Sequence, residues 1–207
     1  MKSVKLKIIN KSKSKEIPNI IIFQKFSQKA FAWQVIKHLD VENYHPFLYN
    51  FQLEIFTGDA WGNFTFPQVA QKGEIFEMRT TPTGRNILTK SSQEASNNLV
   101  IELKNLLRQG SISANLARNQ QIIDKINIVV PGQKAVFASL NDLIYFGVNP
   151  SKNLEEGDPL SLSFITDHTQ SFDMAGLDSA SIILTGGGEG TEAEAYKFTI
   201  KDKKLSA

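Results

Sequence analysis

The stretch that decides the fold is Phe47-Leu48-Tyr49-Asn50-Phe51-Gln52-Leu53-Glu54-Ile55. Phe47, Tyr49, Phe51, Leu53 and Ile55 take every second position, and Asn50, Gln52 and Glu54 fall between them. Successive side chains on a strand point to opposite faces, so this period describes one buried and one wetted side; a helix would repeat every three to four residues. We read a single long strand here. The same alternation recurs outward in both directions. Val4, Leu6 and Ile8 oppose Lys5 and Lys7, and Phe76 and Met78 oppose Glu77 and Arg79. Ile112, Ala114 and Leu116 repeat it, as do Leu160, Leu162 and Phe164. Tyr196, Phe198 and Ile200 close the chain against Lys197, Thr199 and Lys201.

Turn formers cut these runs at short intervals, as at Gly58-Asp59, Gly62-Asn63, Pro82-Thr83-Gly84 and Pro131-Gly132. Half-apolar sheets must bury their faces on one another. The expected fold is therefore all-β: a single-domain β-sandwich over residues 1–207, jelly-roll-like or immunoglobulin-like, with roughly 10–14 strands and at most one or two short helices. No linker composition divides the chain. Two segments stay open. In 99–109, Leu99, Val100, Leu103, Leu106 and Leu107 fit a helical stripe that Gly110 would stop, yet Leu99, Ile101 and Leu103 also alternate. Phe31 to Leu39 is equally ambiguous. Thr89 to Asn98, the most polar stretch, reads as a long surface loop.

Composition narrows the chemistry. With 207 residues, 41% of them hydrophobic, the chain has ample material for a core. Its 14 Phe against 2 Trp and 4 Tyr point to packing, because Phe has no polar handle. The absence of cysteine removes disulfides, thiolate nucleophiles and Cys-based zinc sites together. Lysines interrupt the apolar residues of Met1 to Asn10, where a signal peptide needs an unbroken apolar core. No stretch approaches the ~18 apolar residues of a membrane-spanning helix. The expected location is cytoplasmic. The formal charge is +2, and the basic excess lies near the ends: Lys2, Lys5, Lys7, Lys11, Lys13 and Lys15, then Lys201, Lys203 and Lys204. Without interleaved Arg and aromatic residues these lysines read as decoration of exposed strands, so neither nucleic acid nor membrane is expected as a partner.

Most residues that could carry chemistry also have an ordinary structural role. His38 and His45 flank Asp40 and Glu42, but no His-x-His or His-x-x-x-His pair exists, and a solvated turn explains them. Asp167-His168 with Asp173 and Asp178 lacks the spacing of a calcium loop. Neither group is taken as a metal site, and no cofactor is expected. Thr185-Gly186-Gly187-Gly188-Glu189-Gly190-Thr191 carries glutamates where a phosphate loop needs a lysine, so it reads as a hairpin loop between Ala180–Leu184 and Tyr196–Ile200. The carboxylates Glu54, Glu74, Glu77, Glu102 and Asp142 cannot be paired in one dimension, and no nucleophile–base signature appears.

One turn fits ligand binding. Gly58-Asp59-Ala60-Trp61-Gly62-Asn63-Phe64-Thr65 sets an indole among hydrogen-bonding groups, the mixture a sugar presents in its CH faces and hydroxyls. The candidate ligand-binding residues are Trp61, Asp59, Asn63 and Tyr44, with His45 and Arg79 as possible neighbours. The blander arrangement, which carries more weight, folds Trp61 back onto the sheet while Asp59 and Asn63 merely shape the turn.

Ile20-Ile-Ile-Phe-Gln-Lys25, Phe31-Ala-Trp-Gln-Val-Ile36, Gly62-Asn-Phe-Thr65, Pro131-Gly-Gln-Lys-Ala-Val-Phe137 and Thr185-Gly-Gly-Gly188 are spread over most of the chain. In these stretches it resembles small, uncharacterised, soluble β-rich bacterial proteins. That resemblance implies an intact β protein and transfers no catalytic residue. The expectation is a non-catalytic interaction or structural protein that associates with itself through exposed sheet edges. A lectin-like module using the 58–65 turn is the alternative, with glycan as partner, and a membrane-active toxin is the further one.

Overall fold

The computed structural model describes residues 2–14, 19–26, 29–138, 140–149, 153–161, 163–164 and 169–206. It is all-β and sandwich-like, and among the described residues helical content is confined to short turns such as the 3-10 turn at Gly190–Glu192. Among the described residues sixteen strands follow in chain order. The first four are β1 (Ser3–Asn10), β2 (Asn19–Phe26), β3 (Lys29–Ile36) and β4 (Tyr44–Asn50). Next come β5 (Leu53–Gly58), β6 (Gln68–Ala70), β7 (Glu74–Thr80) and β8 (Asn86–Glu94). Then follow β9 (Ile101–Asn105), β10 (Ile112–Arg118), β11 (Gln121–Val129) and β12 (Lys134–Phe137). The last are β13 (Leu143–Asn149), β14 (Thr169–Asp173), β15 (Leu177–Gly187) and β16 (Glu194–Leu205). Strands as short as β6 and β12 are too brief to show a period, which is why fewer were expected.

The sequence, having no linker, reads as one sandwich; the chain gathers into two compact units, Met1–Phe51 with Asp142–Ala207, and Gln52–Asn141. The first crossing falls inside the stretch read as one long strand. β4 ends at Asn50 and β5 begins at Leu53, in different units. Tyr49, Leu53 and Ile55 are nevertheless buried and keep the same parity on both sides of the break, where Phe51 itself is only half-buried.

The first unit stacks a sheet of order β16-β15-β1-β4 on a sheet of order β14-β13-β2-β3. β1 pairs parallel with β15 and antiparallel with β4. Val4, Leu6 and Ile8 face inward with Phe47 and Tyr49. From the opposite sheet Trp33 sets its ring edge-on to Phe47 at 5.1 Å and to Tyr49 at 5.7 Å. Phe146 meets Phe198 across the same interface at 5.7 Å. Such offset aromatic pairs add to area burial. The second sheet is covered on its other face as well, where Leu154, Leu160 and Phe164 pack on Ile21, Phe23, Ala30 and Ala32. Burial on both faces explains why Ile20, Ile21, Ile22 and Phe23 form an unbroken apolar run. Leu160 and Phe164 thus belong to a covering segment rather than to the expected strand, and Leu162 lies outside the described residues.

The second unit stacks β11-β10-β5-β6 on β12-β9-β7-β8, with β7 and β9 parallel. Ile55, Ala114 and Leu116 meet Phe76, Leu103 and Phe137 in its core, all fully buried. The ambiguous segment 99–109 is strand over Ile101–Asn105, and Leu99 and Leu106, which a helical stripe would have buried, are exposed. Phe31–Ile36 is strand as well. Thr89 to Glu94 is not loop but the second half of β8, an end strand of its sheet whose mostly exposed positions need no apolar residues. Asn105 is completely buried and ties the end of β9 to its surroundings. Its Nδ2 donates to the carbonyls of Val129 at 2.8 Å and Gly110 at 3.0 Å, and its Oδ1 accepts from the N–H of Leu107 at 3.1 Å.

Candidate ligand-binding site

Residues 59–63 form the tip of a tight hairpin in the second unit. Thr65 N–H donates to the Thr57 carbonyl at 2.9 Å, Thr57 N–H donates to Thr65 Oγ1 at 3.0 Å, and Gly58 bridges Phe64. At the tip, Asp59 accepts from everything around it. Its Oδ1 receives the N–H groups of Trp61 and Asn63, each at 2.9 Å, and its Oδ2 receives Asn63 Nδ2 at 3.0 Å. The Asp59 N–H closes the ring by donating to the Asn63 carbonyl at 2.9 Å. An aspartate that collects local N–H groups is a turn-forming device. The Asn63 carboxamide and then its backbone N–H hold the Asp59 carboxyl below its ordinary value of 3.8 against a smaller desolvation, with the N–H groups of Trp61 and Gly62 adding to the effect.

Asp59 and Asn63 therefore shape the turn, as the blander reading has it. The other half of that reading fails: Trp61 is 90% exposed rather than folded onto the sheet. Phe64 and Phe66 beside it are 61% and 89% exposed, so here phenylalanine is not core material. Three aromatic side chains thus point outward within six residues of one another, and the hydrogen-bonded turn presents them together.

These rings border an open groove of about 520 Å3. Its floor is apolar, with Met78, Leu88 and Ile112. Its other wall combines Arg85 and Asn86, from the β7–β8 turn, with Gln109 and Ser111, from the loop after β9. The β7–β8 turn is itself locked, since Thr81 N–H donates to the Arg85 carbonyl at 2.8 Å and Arg85 N–H returns to Thr81 Oγ1 at 3.0 Å. A second groove of about 480 Å3, around Gln71–Glu74 and Lys90–Ala95, has no aromatic residue in its lining.

Tyr44 is not part of this groove. It stands on β4 in the first unit, 59% exposed, with Lys7 Nζ 5.4 Å from its ring centre. His45, also on β4, contacts Gln34 Nε2 through its Nε2 at 3.4 Å, and Arg79 pairs with Glu77. Arg85, Phe66 and Gln109 were passed over in the sequence. Only Phe66 left a trace there, as an aromatic next to Pro67 directly after the turn.

The remaining candidates have structural occupations. Glu42 pairs with Lys11 at 3.5 Å in the turn after His38, and Glu74 and Glu102 pair with Lys90 and Lys134 at 2.5 and 2.7 Å. Asp142 accepts from the Tyr49 hydroxyl at 3.0 Å. Among the described residues no three His, Asp or Glu side chains gather as a metal site; Asp167 and His168 lie outside them. The glycine run ends in the expected hairpin connection between β15 and β16, but Thr185, Gly186 and Gly187 are still part of β15, so the loop starts only at Gly188. No helix among the described residues is long and apolar enough to cross a membrane. No protein-family model, curated protein or solved structure matches the chain.

Proposed function

We propose that the chain is a non-catalytic binding protein that takes a saccharide in the groove beside Trp61. The observation that carries this reading is an indole 90% exposed on a turn that Asp59 holds rigid. Leaving a large apolar ring in water costs free energy with no structural return, which a ligand recovers when it covers the ring. A pyranose suits the surroundings: its CH face stacks on the indole, and its hydroxyls meet Arg85, Asn86, Gln109 and Ser111 across the groove. In this reading Trp61 and Phe66 contact the sugar, Asp59 and Asn63 position them, and Tyr44 takes no part.

The experiment is a tryptophan fluorescence titration with a panel of neutral and acidic oligosaccharides. The other tryptophan, Trp33, is only 2% exposed, so a ligand-dependent change reports on Trp61. We expect a saturable change that persists in Trp33→Phe and disappears in Trp61→Ala. A glycan array without hits, together with no saturable change, refutes the reading.

Self-association is the second reading, and one strand favours it. β11 ends its sheet among the described residues, and Ile128 on it is 69% exposed, with Val130 just beyond it also exposed. An end strand carrying apolar residues can pair with a second copy. Light scattering after size-exclusion chromatography distinguishes the cases, and a strict monomer at high concentration removes this reading.

A further inference from the structure

The lysines near the two ends of the chain are far apart in sequence, but strand pairing brings them together. β1 lies between β15 and β4, and β16 lies on the other side of β15. The registers Lys5↔Ser179, Ser179↔Lys204 and Lys5↔Leu48 define one row across the outer face of this sheet, Lys204-Ser179-Lys5-Leu48. Lys7↔Ser181, Ser181↔Lys201 and Lys7↔Pro46 define the next row, Lys201-Ser181-Lys7-Pro46. Lys197, opposite Thr185, falls on the same face two residues beyond Thr199. Lys5, Lys7, Lys197, Lys201 and Lys204 are all exposed. Among the described residues none of them forms an ion pair.

Across the Lys5 and Lys7 rows these registers put no Asp or Glu; Glu194, opposite Gly187 at the far end of the β15–β16 pairing, is paired with Lys13, and Asp202 sits in the bulge between Lys201 and Lys204. Strand geometry spaces lysines about 7 Å apart along a strand and about 10 Å apart across an intervening serine. Like charges at such distances repel, and a chain of formal charge +2 has acidic residues to spare for this face. Their absence leaves a net positive plane.

We propose that this face docks on an anionic phospholipid bilayer. Charge complementarity gives the sign of the partner, and the layout gives its form. The lysines spread in two dimensions over a sheet, which suits a planar array of headgroups better than a single polyanionic strand. The apolar residues at the edge point the same way. Tyr44 and Leu48 stand on this face at the β4 side, 59% and 46% exposed, and an aromatic and an aliphatic residue beside lysines suit the interfacial layer of a membrane. This docking is peripheral, and it is independent of the saccharide groove, which lies in the other unit.

The test is co-sedimentation of the full chain with vesicles of phosphatidylcholine containing about one-third phosphatidylserine, set against phosphatidylcholine alone. We expect binding only to the anionic vesicles, weakening as salt rises. Lys7→Gln/Lys201→Gln should lower the partition coefficient roughly 20-fold, at about fivefold per lysine. Lys7→Arg/Lys201→Arg should retain binding. Lys72→Gln/Arg108→Gln, which removes the same charge from exposed positions of the other unit, should leave binding nearly unchanged. Equal losses in both neutralising variants, or no binding to anionic vesicles at low salt, overturn the proposal. So does retention on heparin or single-stranded RNA through these lysines when vesicles are not bound.

Discussion

Asp59 Oδ2 accepts the carboxamide proton of Asn63 while Asp59 Oδ1 takes the backbone N–H of the same residue, so one carboxylate grips Asn63 at two points. Trp61 lies between them in sequence and donates its own N–H to that oxygen. The display of the indole therefore depends on Asp59 more than on any packing contact. Asp59→Ala should let the turn relax, visible as lower fluorescence anisotropy of Trp61. Saccharide affinity should fall roughly tenfold through lost preorganisation. The thermal midpoint should barely move, because the tip lies outside the core. Asn63→Ala, which keeps the backbone N–H, should have the milder effect on anisotropy.

The same hydrogen bonds set a pH dependence. Because the folded turn holds Asp59 below 3.8, the folded state prefers the ionised form more than the unfolded chain does. Its contribution to turn order is fully present above the unfolded value and is lost as pH falls through the lower, folded one. A carboxyl-carbon titration followed by NMR should give a midpoint below 3.8 for Asp59. Asn63→Ala should move that midpoint upward, since the Asn63 carboxamide is the largest cause of the depression.

Much of the strand content was legible because a half-buried strand writes its two faces directly into the sequence, as Val4, Leu6 and Ile8 do against Lys5 and Lys7. Period says nothing about where a sheet stops, so the passage from β4 to β5 was hidden by apolar residues of the same parity on both sides. An end strand with few inward positions looks polar, which made β8 resemble a loop. At the site, turn chemistry revealed Asp59, Trp61 and Asn63. It could not reveal that Arg85 and Gln109, from other turns, meet them at one groove. The basic face was least legible: Lys7 and Lys201 share a row only through the parallel pairing of β1 with β15 and the β15–β16 hairpin.

Asn105 is a fully buried polar residue of the second unit whose side chain makes three hydrogen bonds to the main chain. Asn105→Leu keeps the volume but removes the donor to the Val129 and Gly110 carbonyls and the acceptor for the Leu107 N–H. Buried groups that lose their partners cost the full desolvation penalty, so urea denaturation should show a loss of about 3 kcal/mol. Leu107 and Gly110 also line the groove, so saccharide affinity should fall in parallel. Asn105→Asp should not rescue stability, because a carboxylate would face the two carbonyl oxygens.

The two glycines that end β15 offer a test that separates two kinds of crowding. Gly186 and Gly187 both have positive φ, at 90° and 78°, so any replacement carries the cost of the left-handed region, about 1 kcal/mol. Their surroundings differ. A Cβ on Gly187 would lie 2.1 Å from Ser14 Oγ, the end of a side chain, whereas on Gly186 it would lie 2.2 Å from the Ala195 carbonyl oxygen. Gly187→Ala should therefore cost about 1–3 kcal/mol, and adding Ser14→Gly should recover the part due to the clash. Gly186→Ala should cost more, because the backbone of β16 must shift to admit the methyl group. Ser14→Gly should not relieve it. Thermal denaturation of the three single variants, Ser14→Gly included, and the two doubles measures the coupling, which is expected to be substantial for Gly187 with Ser14 and close to zero for Gly186 with Ser14. Equal coupling at both positions would mean that the loop relaxes as a unit and that the contact with Ser14 does not hold it.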